Sequence, residues 1–207
     1  MTMNEEKYKA ILRELKHGKV SLPVDGGLLV PVSYHYKTQI PDCVHLFSKW
    51  RIQNPSLSPA QFPINDERTE KWLQTNVLGK DLVIMFMIQS PDGENVGHIG
   101  LSGMNFETNT VRIYSVMRGV KDKCPGIMRT VIEFLKFWCK EQLSAQFIDL
   151  LVLSDNTKAI RLYKKCGFYV SSIVPLRRIE HNGEINWIED MFLEDPERIF
   201  LHMVCML

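Results

Sequence analysis

The strongest constraint on the fold is a nearly all-apolar segment that directly follows a long helical repeat. Residues 147–153 read FIDLLVL and have the composition of a buried strand. Residues 126–142, just before them, place apolar side chains at helical spacing: Ile127, Val131, Leu135 and Trp138. Residues 111–118, further upstream, have a strand pattern. A strand, a long helix and a second strand in this order predict a parallel βαβ unit, because parallel strands need a long crossover connection.

Further elements are predicted on both sides of this unit. Residues 82–89, 96–101 and 111–118 are predicted to form an antiparallel meander, since Pro91-Asp92-Gly93 is a strong turn signal. Additional strands are predicted at residues 28–32, 168–179, 185–192 and 200–205. Additional helices are predicted at residues 4–16, 42–53, 66–79 and 156–166. The fold class is therefore α/β (α+β), with a mixed, mostly antiparallel sheet flanked by helices.

The length of 207 residues favours one sizeable domain with a small appendage. We assign residues 1–27 to an N-terminal helical appendage, which could also serve as an interaction module, and residues 28–207 to the main domain. A composition of 45% hydrophobic and 24% charged residues is typical of a soluble globular protein.

Charge and cysteine usage exclude several classes of function. A net charge of +1 argues against a groove that binds nucleic acid by neutralising many phosphates. The five cysteines are scattered and lack a CxxC pair, so we expect reduced thiols and no metal site. The chain shows no secretory signal pattern and no apolar run long enough to span a membrane, so a cytoplasmic protein without a membrane partner is expected.

Two motifs flank the βαβ unit. The first, KCPGIM at residues 123–128, resembles the Gln/Arg-x-x-Gly-x-Gly/Ala loop of the GNAT superfamily of N-acyltransferases. The second, NTKAIRLYKKCGF, resembles the family's Asn-x-x-Ala-x-x-Leu-Tyr-x-x-x-Gly-Phe helix at Asn156, Ala159, Leu162, Tyr163, Gly167 and Phe168. Six matches at fixed spacing make the second motif the more specific one. The resemblance covers residues 28–205 by element order and residues 110–168 at the level of motifs.

The resemblance implies a GNAT-like sheet whose central parallel strands splay apart to admit acetyl-coenzyme A, the acyl-donor substrate, with no metal. The backbone of Val116, Met117 and Arg118 would pair with the pantetheine amides. The loop would cradle the pyrophosphate with backbone N–H groups at the start of the helix, and its residues are Lys123, Cys124, Gly126, Ile127 and Met128. Lys123 keeps a positive charge where the family has Gln or Arg, whereas Met128 replaces a small residue.

Two residues of the second motif receive roles by the same resemblance. Asn156 would contact the cofactor and could also cap its helix. Tyr163 would lie near the thioester sulfur and act as the general acid that protonates the departing thiolate.

The general base is not evident from the sequence. Arg112 and Leu151 occupy the positions where the histone-acetylating and ribosomal-alanine branches of the family carry glutamates, which disfavours both branches. His98, Glu107 and Tyr114 are the nearest alternatives. His98 has the most suitable intrinsic pKa, although a structural role is the more frequent one for such a histidine.

Acceptor-binding residues are sought in three places. Arg112 suggests an acceptor with a phosphate or carboxylate, with a surface ion pair as the alternative. The segments at residues 50–63, beginning with Trp50, and 181–187 are where the family builds acceptor specificity. The C-terminal pattern PLRRIEHNGEINWIEDM is similar to that of GNAT members acting on amino-sugar nucleotides.

The predicted function is therefore acetyl transfer to a primary amine of a small molecule. An amino sugar or sugar nucleotide is the first choice of acceptor, another small amine the second, and a protein amine the third. The alternative function is a non-catalytic GNAT module that binds acetyl-coenzyme A for regulation. The sequence is also compatible with a homodimer.

Overall fold

A computed structural model describes residues 3–18 and 20–207 and contains the five predicted helices in order, together with a short helix at residues 36–39 that the sequence did not predict. They are α1 (Met3–His17), α2 (Tyr36–Gln39), α3 (Cys43–Gln53), α4 (Asp66–Trp72), α5 (Ile127–Leu143) and α6 (Thr157–Lys165). The Asn65 side chain accepts a hydrogen bond from the Arg68 backbone N–H at 2.8 Å, the N-cap expected at the start of α4. A π-helical turn, Leu73–Leu78, extends α4 to Gly79, as predicted. Within the described residues, no helix is both long and apolar enough to cross a membrane.

The strands of the described residues form one ten-stranded mixed sheet. They are β1 (Leu22–Val24), β2 (Gly27–Pro31), β3 (Ala60–Gln61), β4 (Val83–Gln89), β5 (Asn95–Asn105), β6 (Thr110–Arg118), β7 (Phe147–Leu153), β8 (Tyr169–His181), β9 (Glu184–Glu189) and β10 (Arg198–Met206). Their spatial order is β1-β2-β4-β5-β6-β7-β10-β8-β9-β3. The predicted meander β4-β5-β6 and the parallel β6-β7 pair are confirmed. The sequence did not predict the short strands β1 and β3.

Each face of the sheet carries its own hydrophobic cluster. Alternate residues of β4 point to opposite faces, so Phe86 lies in a cluster with α5, and Met87 lies in a second cluster with α3. The first cluster is the larger one and includes Tyr163 of α6. A gap between central strands would consequently connect the α5–α6 face with the α3–α4 face.

The parallel pair is short, and this opens such a gap. The β6-β7 ladder joins Thr110 to Phe147, Val111 to Ile148 and Arg112 to Asp149, and then stops. Beyond Arg112 the two strands diverge, which leaves the backbone of the last part of β6 without a strand partner on that side. The predicted splayed pair is therefore present.

The N-terminal helix packs tightly on the sheet. Tyr8 and Leu12 of α1 are fully buried in the larger cluster. Lys16 Nζ donates a hydrogen bond to the Val77 carbonyl oxygen at 2.8 Å, which ties α1 to the π-helical turn. The domain division after residue 27 stays a prediction, but α1 contributes to the core of the main domain.

Candidate active site

A cavity of about 490 Å³ occupies the gap between β6 and β7. On the α5–α6 side it is lined by Tyr163 and Asn156, and on the opposite side by His98. The free part of β6, including Val116 and Met117, forms its edge. The cavity thus crosses the sheet and connects both faces at the point where the strands part.

Tyr163 and Asn156 come from α6, the helix of the second motif. The Asn156 side chain accepts a hydrogen bond from the Ala159 N–H at 3.2 Å, so it caps α6. Tyr163 is buried, and burial raises the pKa of its hydroxyl above the usual value. The hydroxyl therefore keeps its proton at neutral pH and is available as a donor.

The loop between β6 and α5 is held by the Arg118 side chain. Its guanidinium donates to the carbonyl oxygens of Val120 at 3.1 Å, Lys121 at 2.8 Å and Lys123 at 2.5 Å. Gly126 then precedes α5 with a φ of +89°, and a Cβ at this position would meet no atom within 4 Å. The Gly126 backbone is thus open to a ligand at the positive end of a helix dipole, which fits a pyrophosphate. Arg118 orders this loop with its side chain, a role that the sequence had not indicated.

The remaining loop residues differ in what they can offer to the donor. The Ile127 N–H already donates to the Cys124 carbonyl at 3.1 Å, so it is not a free donor. Lys123 pairs with the carboxylates of Asp92 and Glu94 in the β4-β5 turn, which balance its charge. Met128 is buried in the larger cluster, so it belongs to the core of the protein. Contacts of Ile127 and Met128 with the donor stay predictions.

His98 lies at the floor of the cavity on the α3–α4 side. Its Nδ1–H donates to the Ser115 carbonyl at 2.7 Å, and its ring stacks on Phe47 with centroids 4.1 Å apart. Because a carbonyl only accepts, Nδ1 carries the proton, and Nε2 is the unprotonated nitrogen. Burial lowers the pKa of His98 to about 4. His98 is thus neutral at physiological pH and a weak base, suited to accept a hydrogen bond from an amine.

The carbonyl that fixes His98 belongs to a β-bulge. Ser115 has a φ of +49°, and the β5-β6 register shifts between His98 and Gly100 opposite it. The bulge lies at the start of the splayed part of β6. No glycine marks this bulge in the sequence, so the pattern of residues could not reveal it.

The low pKa of His98 predicts a stability change with pH. Below pH 6.5 the unfolded chain takes up a proton that the folded chain refuses until about pH 4. The free energy of unfolding should therefore decrease by about 3 kcal/mol as the pH falls from 6.5 to 4. Urea unfolding at several pH values between 7.5 and 4 measures the slope, and His98→Gln is the control because it cannot titrate. Equal slopes in the two proteins would show that His98 is not buried as a neutral ring.

Arg112 lies at the end of the parallel ladder, but its guanidinium is already engaged. Nε donates to Asp149 Oδ1 at 3.0 Å, and Nη2 donates to Asp149 Oδ2 at 2.6 Å. Asp149 is buried and also contacts His202 Nε2 at 2.8 Å. This bidentate pair is the alternative that the sequence left open for Arg112. The side chain still borders the cavity, with its charge compensated.

Trp50, which the sequence proposed as an acceptor-binding residue, does not line the cavity. Trp50 is only 1% exposed and lies behind His98, with ring centroids 5.9 Å apart. Its physical role is to close the second hydrophobic cluster and support the His98 ring. An acceptor in the cavity would meet His98 and Phe47 instead.

The α3–α4 side of the cavity is walled by residues that the sequence did not name one by one, although Arg51 and Phe62 lie within the predicted segment 50–63. Its side chains come from α3, from the proline-rich loop and from α4: Phe47, Arg51, Phe62, Arg68 and Trp72. The loop is fastened by β3, which pairs with β9, and by the Trp187 N–H, which donates to the Pro59 carbonyl at 2.8 Å. The two segments expected to determine acceptor specificity therefore contact each other. The sequence feature that could have indicated this wall is the pair of arginines, Arg51 and Arg68, just before and after the loop.

The fold and the cavity agree with the comparison to known families. The sequence model of the Acetyltransferase (GNAT) family matches residues 49–168, more than half of the 207 residues. The chain belongs to the GNAT acetyltransferase family. It is an acetyl-coenzyme A-dependent N-acetyltransferase.

Solved structures share this fold at low sequence identity. One is a spermidine N-acetyltransferase from Vibrio cholerae in complex with coenzyme A and spermine, with a TM-score of 0.64 and 15% identity over 88% of this chain and 96% of that one. Another is RimL, a ribosomal alpha-N-protein acetyltransferase in complex with coenzyme A, with a TM-score of 0.67 and 14% identity over 91% of this chain and 98% of that one. No curated protein sequence matches the chain. At these identities the likeness establishes the fold and leaves the acceptor open.

Proposed function

We propose that this acetyltransferase acetylates the primary amine of an amino sugar, free or nucleotide-linked, which enters the cavity from the α3–α4 face. The observation that carries the proposal is the cavity itself. It crosses the sheet where β6 and β7 part, with Tyr163 on one side and His98 on the other. Donor and acceptor can therefore approach from opposite faces and meet between the strands.

The donor side supplies binding and an acid. The unpaired edge of β6 at Val116, Met117 and Arg118 offers backbone groups that pair with amides, as another strand would. Gly126 and the start of α5 face the pyrophosphate. Acetyl-coenzyme A supplies the acetyl group as an activated thioester. The Tyr163 hydroxyl, protonated and buried, donates its proton to the leaving sulfur.

The acceptor side orients an amine and supplies no strong base. His98 Nε2 accepts a hydrogen bond from the amine, which directs the nitrogen lone pair toward the thioester carbon. With a pKa near 4, His98 does not deprotonate an ammonium efficiently. The acceptor must therefore bind with its amine already neutral, or lose its proton to water.

The walls of the cavity favour a sugar over a polyamine. Among the described residues that line it, none is Asp or Glu, whereas three are arginines: Arg51, Arg68 and Arg112. A polycation would gain no carboxylate partner there and would be repelled. Trp72 gives a flat apolar surface that suits the face of a sugar ring.

An acceptor panel tests this function. Release of free thiol from acetyl-coenzyme A is measured with glucosamine, a nucleotide-linked amino sugar, spermidine and a peptide with a free N-terminus. We expect turnover with at least one amino sugar and turnover with spermidine that is lower by about tenfold or more. Thiol release with spermidine or the peptide, and none above background with either amino sugar, would overturn the proposed acceptor.

A further inference from the structure

We propose that Arg51 and Arg68, which both contact Phe62, form a subsite for an oxyanion carried by the acceptor. The inference rests on the proposed function insofar as the cavity must bind the acceptor. It adds the chemical class: an amine whose molecule also bears a phosphate or a carboxylate. Arg51 lies in the segment 50–63 that was expected to determine acceptor specificity, but neither arginine was named individually from the sequence.

The geometry brings two guanidinium groups to one aromatic ring. Arg51 comes from α3, Arg68 comes from α4, and Phe62 lies in the loop between them. The guanidinium carbons lie 4.6 Å and 4.5 Å from the Phe62 ring centroid, respectively. All three side chains line the same cavity. The ring contacts hold the two cations at the acceptor wall.

Within residues 3–18 and 20–207, no carboxylate pairs with the Arg51 guanidinium. Its Nη2 donates to Ser58 Oγ at 3.0 Å and to the Ala60 carbonyl at 3.2 Å, which are both neutral groups. Its Nε is buried and has no hydrogen-bond partner among the described residues. Burial and the nearby charge of Arg68 lower the pKa of Arg51. A half-buried, uncompensated charge is costly, and an oxyanion beside the guanidinium would relieve that cost by supplying the opposite charge.

Arg68 adds a second positive charge that is only partly balanced. Its Nη1 pairs with Glu184 of β9 at 2.9 Å in an exposed ion pair. Among the described residues, Glu184 is the one carboxylate that pairs with either guanidinium group, and it pairs with Arg68 alone. Arginine suits this role because its planar fork binds phosphate or carboxylate through two parallel hydrogen bonds.

Arg112 is not part of this oxyanion subsite, because its guanidinium already donates two hydrogen bonds to Asp149. The pyrophosphate of the donor is not the ligand either. The loop that faces it precedes α5, which packs on the larger cluster, whereas α3 packs on the opposite face. The uncompensated charge at Arg51 thus belongs to the acceptor side.

Two matched acceptor pairs test the subsite. They are glucosamine 6-phosphate against glucosamine, and an amino acid against its carboxamide, each assayed for kcat/KM with acetyl-coenzyme A. We expect the anionic member of at least one pair to be favoured about 10- to 100-fold, and Arg51→Met to remove that preference by raising the acceptor KM. Inorganic phosphate or acetate should inhibit competitively against the acceptor. Arg68→Met should weaken the preference too, which covers the case in which Arg51→Met disturbs the loop.

The controls separate this inference from the proposed function. Arg13→Met changes an exposed arginine of α1 and should leave both the preference and the KM for acetyl-coenzyme A unchanged. Equal turnover of the two members in both pairs would overturn the subsite, while turnover of glucosamine would still keep the amino-sugar function. A carboxylate preference that Arg51→Met removes, with both sugars inert, would keep the subsite and overturn the amino-sugar function. An anion preference unchanged in both arginine variants would also overturn the subsite.

Discussion

Tyr163→Phe is expected to lower kcat by about 100- to 1,000-fold while the affinity for acetyl-coenzyme A stays within about twofold. The substitution removes one hydroxyl and preserves the ring that packs in the larger cluster. Burial raises the pKa of this hydroxyl, so the wild-type group is protonated and ready to donate at neutral pH. Without it, the thiolate must leave unprotonated or take its proton from water.

The measurement separates turnover from donor binding. Thiol release gives kcat with glucosamine 6-phosphate or whichever panel member is turned over, and calorimetry gives the Kd for acetyl-coenzyme A. Tyr169→Phe is the matched control, because Tyr169 of β8 is 57% exposed and does not line the cavity. Unchanged kcat in Tyr163→Phe, or a loss explained entirely by weaker donor binding, would remove the assigned role.

Gly119→Ala is expected to destabilise the fold by about 2 to 3 kcal/mol. A Cβ at this position would lie 1.9 Å from Cε2 and 2.2 Å from Cδ2 of the Trp50 indole. Trp50 is 1% exposed and stacked on His98, so the ring has no free space to move into. The strain should also displace His98 and lower turnover.

A double-mutant cycle tests whether the destabilisation by Gly119→Ala comes from contact between the alanine methyl and Trp50. Trp50→Phe removes part of the indole and should itself destabilise by leaving a cavity. In the Gly119→Ala background the smaller ring should recover about 1 kcal/mol or more relative to additivity. Urea unfolding of the four proteins gives the coupling energy. Strict additivity would mean that the alanine methyl does not meet Trp50.

The sequence predicted the order of elements well because each signal for it is local. The apolar run of β7 and the helical spacing in α5 report burial along one segment. The Asn-Gly pair before Glu184 marks the β8-β9 hairpin, with Asn182 at a φ of +51° and Gly183 at +75°. The motif of α6 likewise fixed Tyr163 and Asn156, which the fold brings to one cavity.

Local sequence patterns could not predict which strands are neighbours in the sheet or which charged side chains form pairs. The alternation of apolar and polar residues that predicts a strand does not indicate which strands it will pair with. The last strand, β10, inserts between β7 and β8. This position brings His202 to Asp149, which is also paired with Arg112. The sequence could therefore mark Arg112 as a charged residue at the site, but only the register of three strands decided that its charge is compensated.

What the sequence alone determined is the βαβ core and the GNAT motifs, because those features depend on residues close together along the chain. The tertiary structure decided the acceptor side. It buried His98 as a neutral ring, placed Trp50 behind it, and brought Arg51 close to Arg68 with no paired carboxylate in the described part of the chain. Burial and electrostatic compensation depend on groups that are distant in sequence, so they become defined only when α3, α4 and the β9 hairpin are packed around the cavity.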